Sequence, residues 1–245
     1  MTAAFPTHKQ EEWRYADLEA LKPVWEQFAE PVTLTVGAGE ELEEVWLRAG
    51  DDVQLRRVRL ALEQGSKARI FALSTAPVYG RIELEVSLGE AAEFELFGAN
   101  IGTGLSTNEI VTNVRHIGVG GRSRQVVRSV LNGKAVGSYL GKVEVARGAE
   151  KTDAEQSVKA MLLDRGATAN CKPELEIFAD DVKCAHGATV GELDPMQLFY
   201  AESRGMDPAS ARALLLEGFV TGLWDSASEP DAIAEAAREA LRRVV

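Results

Sequence analysis

Between residues 31 and 193 the sequence is a succession of short strand-like runs about ten residues apart, with almost nothing between them that reads as a helix. The clearest are Val32–Val36, Arg69–Leu73, Arg81–Val86, Glu93–Leu96, Glu109–Val114, Arg124–Val130 and Gly141–Val145. Glycines and short polar links separate them. A doubly wound α/β sheet needs a helical crossover between successive parallel strands, so this spacing argues against it. A sandwich, a barrel or a coiled solenoid remains, and spacing alone does not separate the three. No strict motif repeat accompanies the strands. One stretch departs from the pattern: over Thr152–Arg165, Ala154, Val158, Met161 and Leu162 recur near helical spacing, which fits a short helix or a pair of strands.

The flanks read differently. Residues 1–30 form a helical lead-in in which Glu11, Glu12, Trp13, Tyr15, Leu18, Leu21 and Trp25 give a loosely amphipathic helix, broken at or soon after Pro23. Residues 194–245 are helical and well punctuated. Asp194-Pro195 and Asp207-Pro208 each supply an N-cap followed by proline at the first helical position, and Gly205 stops the first of the two helices. Ala211, Leu214, Leu215, Gly218, Phe219 and Gly222 mark an apolar stripe on the second. An alanine-rich helix over Ala232–Arg243 closes the chain.

Composition bounds the partners. Hydrophobic residues make up 45% of the 245, enough for a core without disulfides. A net charge of −11 argues against an electrostatic grip on nucleic acid or anionic membranes. No apolar run reaches the ~18 residues of a spanning helix, and the start, Met-Thr-Ala-Ala-Phe-Pro, lacks the pattern of a secretory signal. A cytoplasmic protein is expected, with Cys171 and Cys184 as free thiols.

The densest chemistry lies in Lys172-Pro-Glu-Leu-Glu-Ile-Phe-Ala-Asp-Asp-Val-Lys-Cys-Ala-His-Gly-Ala-Thr-Val-Gly-Glu-Leu-Asp194. Leu175 and Ile177 alternate with Glu174 and Glu176, as in a strand with one buried face. Cys184 and His186, at i and i+2, share a face of an extended chain. A thiolate and an imidazole together suit iron or zinc, but they are half of a metal site, so further ligands would have to come from elsewhere, a partner chain being one source. The bland alternative is a buried thiol and a hydrogen-bonded histidine in a turn. Asp180 and Asp181 fit a solvated turn better than an acid–base pair. No phosphate-binding loop, dinucleotide fingerprint or nucleophile triad order occurs.

That stretch, together with Arg122-Ser-Arg-Gln125, Gly141-Lys142, Lys151-Thr-Asp-Ala154, Leu198-Phe-Tyr200, Ser203-Arg-Gly205 and the opening Glu11-Glu-Trp-Arg-Tyr15, resembles the SufB/SufD family of the Suf (SufBCD) iron–sulfur cluster assembly system, on its SufD side. The resemblance implies a mainly β fold: a right-handed parallel β-helix over 31–193 between the N-terminal helical lead-in 1–30 and a C-terminal helical segment 194–245 that docks an ATPase. It implies a non-catalytic cytoplasmic scaffold that pairs with a SufB-like paralogue and a SufC-like ATPase, with ATP hydrolysis left to the latter. It assigns His186, and with less weight Cys184, to iron or a nascent cluster at the paralogue interface, with no cofactor tightly bound in the isolated chain. It assigns Leu198, Phe199, Tyr200, Arg204, Gly205 and Phe219 to the ATPase contact, and makes Cys171 a packing substitute for a small hydroxyl residue. Against the family the chain looks short, with the reduction in the N-terminal half. A homodimer is expected when the paralogue is absent. Two other readings stand beside this one: a stand-alone metal enzyme on a β-helix with His116 and His186 as ligands, and a purely structural subunit.

Overall fold

The computed structural model describes residues 4–47 and 52–245. Twelve strands alternate between two parallel sheets. β1 (Val32–Val36), β3 (Val53–Leu62), β5 (Tyr79–Leu88), β7 (Thr107–His116), β9 (Val136–Val145) and β11 (Thr168–Ile177) stack in that order in one sheet. β2 (Glu41–Leu47), β4 (Lys67–Ser74), β6 (Glu93–Gly102), β8 (Arg122–Leu131), β10 (Asp153–Leu162) and β12 (Lys183–Gly191) stack in the other. The chain is therefore a parallel β-solenoid, two strands to a coil.

Partners in the ladder lie between 26 residues apart, as Val32 and Val58, and 32 apart, as Val136 and Thr168. Turn lengths vary between coils, so no fixed period shows in the sequence although every coil repeats the same plan. The repeat is legible once the coils are aligned. Leu34, Leu60, Val86, Val114, Val143 and Leu175 form one continuous ladder facing the lumen between the sheets. Parallel strands buried on one face and stacked in register need this matching, because a slip of one residue would turn the apolar set outward.

The outer face of the even-numbered sheet carries a second register device. Down one ladder run Glu41, Lys67, Glu93, Arg122, Asp153 and Lys183; beside it run Glu43, Arg69, Glu95, Arg124 and Glu155. Opposite charges alternate coil by coil. Arg69 lies 3.0 Å from Glu95 and 3.4 Å from Glu43, and Arg124 lies 3.8 Å from Glu155. Such exposed pairs contribute ~0–1 kcal/mol each, but omitting or duplicating a coil would set like charges against one another. Thr152–Arg165, read from sequence as a helix or a pair of strands, is β10 followed by a turn: Ala154, Gln156, Val158 and Ala160 alternate inward, and the helical spacing of Met161 and Leu162 arises where the strand ends.

The lead-in is divided into three short helical turns: a 3-10 turn over Glu11–Trp13, α1 (Leu18–Leu21) and α2 (Trp25–Phe28). Asp17 restarts the chain by accepting from Ala20 N at 3.0 Å, and Pro23 prevents α1 from continuing. Trp13, Leu21 and Trp25 bury themselves against Leu55 and Tyr79 on the odd-numbered sheet.

After β12 come α3 (Pro195–Ser203), α4 (Pro208–Thr221) and α5 (Pro230–Arg242). Asp194 accepts from Met196 N at 2.8 Å, and Asp207 from Ala209 N and Ser210 N at 3.1 and 3.0 Å, so both expected caps form. The outer face of the even-numbered sheet is apolar at Phe71, Phe97 and Val126, beside its charged ladders, and α4, α5 and the link between them cover it with Leu216 and Val220, Ile233 and Leu241, and Trp224 respectively. Trp224 Nε1 donates to Phe97 O at 3.2 Å. The face of α4 that packs is rotated from the expected stripe: Ala211, Leu216 and Val220 are buried, whereas Leu214 is 51% exposed. Among the described residues no helix is long and apolar enough to cross a membrane.

Candidate functional site

The two ends of the solenoid are chemically unlike. In the first coil Glu44 and Trp46 occupy inward positions, and Trp46 is buried. Its indole N–H donates to Glu44, and the Arg56 guanidinium lies 4.4 Å from the ring centroid and 3.9 Å from the Glu44 carboxylate. A planar aromatic under an ion pair is a capping arrangement, apolar below and polar above.

Among the described residues the last coil has no such lid. β11 bonds only to β9 and β12 only to β10 among the described residues, so both present an unpaired strand edge, as β1 and β2 do at the other end. Cys171 and Leu175 on β11 and Cys184 on β12 are half-buried against the coil beneath, and His186, Ala188 and Val190 on β12 are exposed. Cys184 continues the inward ladder above Ala154, and His186 continues the next one above Gln156 and Gln125. The two site candidates therefore do share a face, and that face is the solenoid's lumen where it opens to solvent. Both cysteines are free, and burial pushes both thiols upward; for Cys184 the nearby Asp153 adds to the rise and a hydrogen bond at Ala154 opposes it. Gly187 lies inside β12 opposite Ser157, with open space where a Cβ would stand. Asp180 and Asp181 form the turn that precedes β12, and Lys151 pairs with Asp181 across to the neighbouring turn.

Cys171 continues the ladder above Tyr139 and packs against the core. His116 is fully buried, two strands beneath Ile177, with Nε2 2.9 Å from Ser123 Oγ. The register thus sets it at one end of its strand, two coils from β12, and it shares no site with His186. Among the described residues no three of His, Cys, Asp and Glu converge as a metal-ion set.

The polar floor beneath His186 escapes a reading by motif. Lumen positions in the earlier coils are Ile70, Leu96, Ile82 and Ile110, but those that follow are Gln125, Gln156 and Tyr139. Gln125 lies in a quoted motif, yet its role comes from ladder position. The signal available was a glutamine at an inward position of an otherwise apolar strand.

Buried His116 also predicts a pH dependence. Burial pushes its imidazole down from 6.5 to about 4. The unfolded chain therefore takes up this proton at higher pH than the folded one. The contribution is fully present above about 6.5 and fades as pH falls toward 4. Two to three pH units amount to about 3 kcal/mol. Replacing His116 with Gln should remove this part of the slope. Urea unfolding at pH 7 and pH 4 should show wild type losing about 3 kcal/mol more than H116Q; equal losses would refute the assignment.

The helical flank assembles a second candidate surface. Met196, Phe199 and Tyr200 on α3 are 70%, 65% and 60% exposed, and the Arg204 guanidinium sits 5.0 Å from the Tyr200 ring centroid. Leu198, half-buried, and Gly205, with φ +92°, complete this segment. Phe219 falls elsewhere: it is half-buried against the even-numbered sheet, with Arg128 5.8 Å from its ring centroid. A groove of about 510 Å³ lies apart from both surfaces, between Trp13 and the odd-numbered sheet; its Arg57 and Lys142 are already paired with Glu83 and Glu176.

A parallel β-solenoid closed at one end, open at a histidine-bearing other end and flanked by docked helices defines the class. The sequence matches the family described as SUF system FeS cluster assembly, SufBD core domain, over residues 30–219, and the chain belongs to that family. It is 27% identical over 209 residues to an iron–sulfur cluster assembly SufBD family protein of Synechocystis, covering 83% of this chain and 46% of the relative. It is 38% identical over 104 residues to the iron–sulfur cluster assembly protein SufD of Escherichia coli (42% and 25%), and 32% identical over 120 residues to that of Bacillus subtilis (49% and 28%). The matched regions span less than half the length of each of these relatives.

Proposed function

We propose that this chain is a non-catalytic scaffold subunit of a cytoplasmic SufBCD-type iron–sulfur cluster assembly complex. Its open coil pairs with a SufB-like paralogue, and His186, with Cys184 in a lesser role, faces iron or a nascent cluster at that interface. The observation that carries this reading is the asymmetry of the solenoid. Strand edges are unpaired at both ends, but the lumen of the first coil is lidded by Trp46, Glu44 and Arg56, whereas that of the last is left open at an apolar rim and an imidazole. A second β-solenoid can satisfy those edges by continuing the sheets. Iron and cluster are cargo here, and a neutral imidazole is a suitable ligand for either.

The reading is tested by purifying the tagged chain anaerobically from its native cell. Co-elution of a paralogue of this chain and an ATPase, with iron on the complex and none retained by the chain alone, is expected. A chain that elutes alone with stoichiometric metal would favour the self-contained metal enzyme, and a self-associated chain without partners would count against heteromeric assembly.

In the same reading α3 docks the ATPase. Solvated aromatics beside an arginine are the composition of a binding hot spot, and the stack of Arg204 on Tyr200 holds the surface in shape before contact. F199A and R204E are each expected to weaken ATPase binding by about 2 kcal/mol, on the order of thirtyfold. Neither should disturb pairing at the open coil. Titration calorimetry of the ATPase against each variant checks this, and unchanged affinity in both would remove α3 from the contact.

A further inference from the structure

One polar chain crosses the lumen beneath the open end. Tyr139 donates its hydroxyl proton to Gln125 Oε1 at 3.1 Å, accepts from Gln156 Nε2 at 3.0 Å, and has Thr112 Oγ1 at 3.3 Å. All four side chains are buried. Room for the phenol is made by Gly141, where a Cβ would overlap the Tyr139 hydroxyl. The hydroxyl has one proton to give. With that proton on Gln125, Gln156 must turn its amide N–H to the phenol, and its carbonyl is left over. Two amide atoms of this chain are then left without a partner, Gln156 Oε1 on the side of the open coil and Gln125 Nε2 one coil below, although the residues are 1% and 0% exposed. A buried acceptor without a donor costs ~1–3 kcal/mol, so such a group calls for a donor that arrives later. The residue above Gln156 in the parallel ladder is His186.

We propose that Gln156 is a positioning residue for His186: its free Oε1 accepts the N–H of one ring nitrogen, selects a single imidazole tautomer, and turns the lone pair of the other nitrogen out of the lumen. This rests on the function proposed above and adds how the imidazole is aimed. A ligating histidine usually gives its second N–H to a carbonyl or carboxylate that fixes tautomer and ring orientation. Here the acceptor is supplied by the next coil down, and its own orientation is set by Tyr139. Iron or cluster would then meet a nitrogen already presented.

The test uses the complex with only this chain's histidines labelled with nitrogen-15. There are three, His8, His116 and His186, and H186A identifies the third resonance pair. Solid-state nitrogen spectra at a pH where the ring is neutral should show His186 as one tautomer in wild type and as a mixture in Q156L. Q156E keeps an acceptor oxygen and should return the single tautomer. Anaerobic titration with ferrous iron should show Q156L weaker by about 10–100-fold. A tautomer mixture already present in wild type would overturn the proposal even if Q156L failed to fold. So would identical tautomer populations in wild type and Q156L. Iron affinity lost in H186A but kept in Q156L would overturn this inference alone, whereas iron affinity unchanged in H186A would overturn the proposed function itself.

Discussion

H186A is expected to leave the chain folded and its partners bound while cluster formation on the complex falls by at least the ~10–100-fold that accompanies loss of a group merely orienting a metal ligand. The two halves of this expectation have separate physical grounds. His186 is exposed on an edge strand, and exposed substitutions away from caps and networks usually stay within about 0.5 kcal/mol. Strand pairing at the open coil is carried by backbone groups, which the substitution does not remove. The imidazole itself is the only titratable nitrogen on the lumen face of β12, so cargo held there has no substitute for it on this strand. C184A should do less, because the thiol is half-buried and burial holds it in the protonated form that is the poorer ligand. The measurement is cluster absorbance on the reconstituted complex, with thermal unfolding of the chain as control. A misfolded H186A would return His186 to an ordinary structural role, and normal cluster yield would show that His186 does no work in cluster assembly.

How much of this was legible in the sequence depended on whether the signal was local. Strands with clean alternation, such as Arg81–Val86, and the Asp-Pro helix starts were read directly, because alternation and capping depend on neighbours a few residues away. The choice of solenoid over sandwich or barrel was not open to spacing, since Leu34, Leu60 and Val86 are brought into one ladder only by pairing across a coil. Resemblance to a family supplied what periodicity could not. At the site, Cys184 and His186 were legible as a shared face, but the floor under them was not: Gln125, Tyr139 and Gln156 stand 31 residues or fewer apart in sequence and become one chain of hydrogen bonds only in register. The buried face of α4 differs from the expected stripe for the same reason. Its apolar residues surround the helix, so which of them is inside is decided by Phe71, Phe97 and Val126 beneath it.

The largest effect on stability is expected from a cluster that no sequence motif announces. Arg81 is fully buried on the odd-numbered sheet, with Nε and Nη2 at 3.0 and 2.8 Å from Glu83 and Nη1 at 3.3 Å from Glu109. Arg57 holds the other oxygen of Glu83 at 2.8 Å and donates to the carbonyls of Phe28 and Ala29 in the lead-in. Tyr79 donates to Glu109 at 2.7 Å, and the Trp13 ring lies 3.7 Å from the Arg81 guanidinium carbon. Two positive and two negative groups thus balance under the lead-in. Burial raises Glu109 despite the pull of Arg81; for Glu83 burial acts the same way, but Arg81 and Arg57 together outweigh it and hold it low. R81L removes the charge both carboxylates share and leaves Glu109 in the interior with only a phenol. Breaking a buried pair in this way costs ~3–5 kcal/mol, and at ~2–4 °C per kcal/mol for a chain of this size the midpoint should fall on the order of ten degrees. The lead-in should also become accessible, with faster proteolysis between residues 5 and 30 and altered Trp13 and Trp25 fluorescence. Adding E109Q to R81L takes away the orphaned charge and should recover part of the loss, a coupling that a double-mutant cycle reads directly. A midpoint for R81L within about two degrees of wild type, which corresponds to less than ~1 kcal/mol, would mean that Arg81 and Glu109 are not an ion pair in the folded chain.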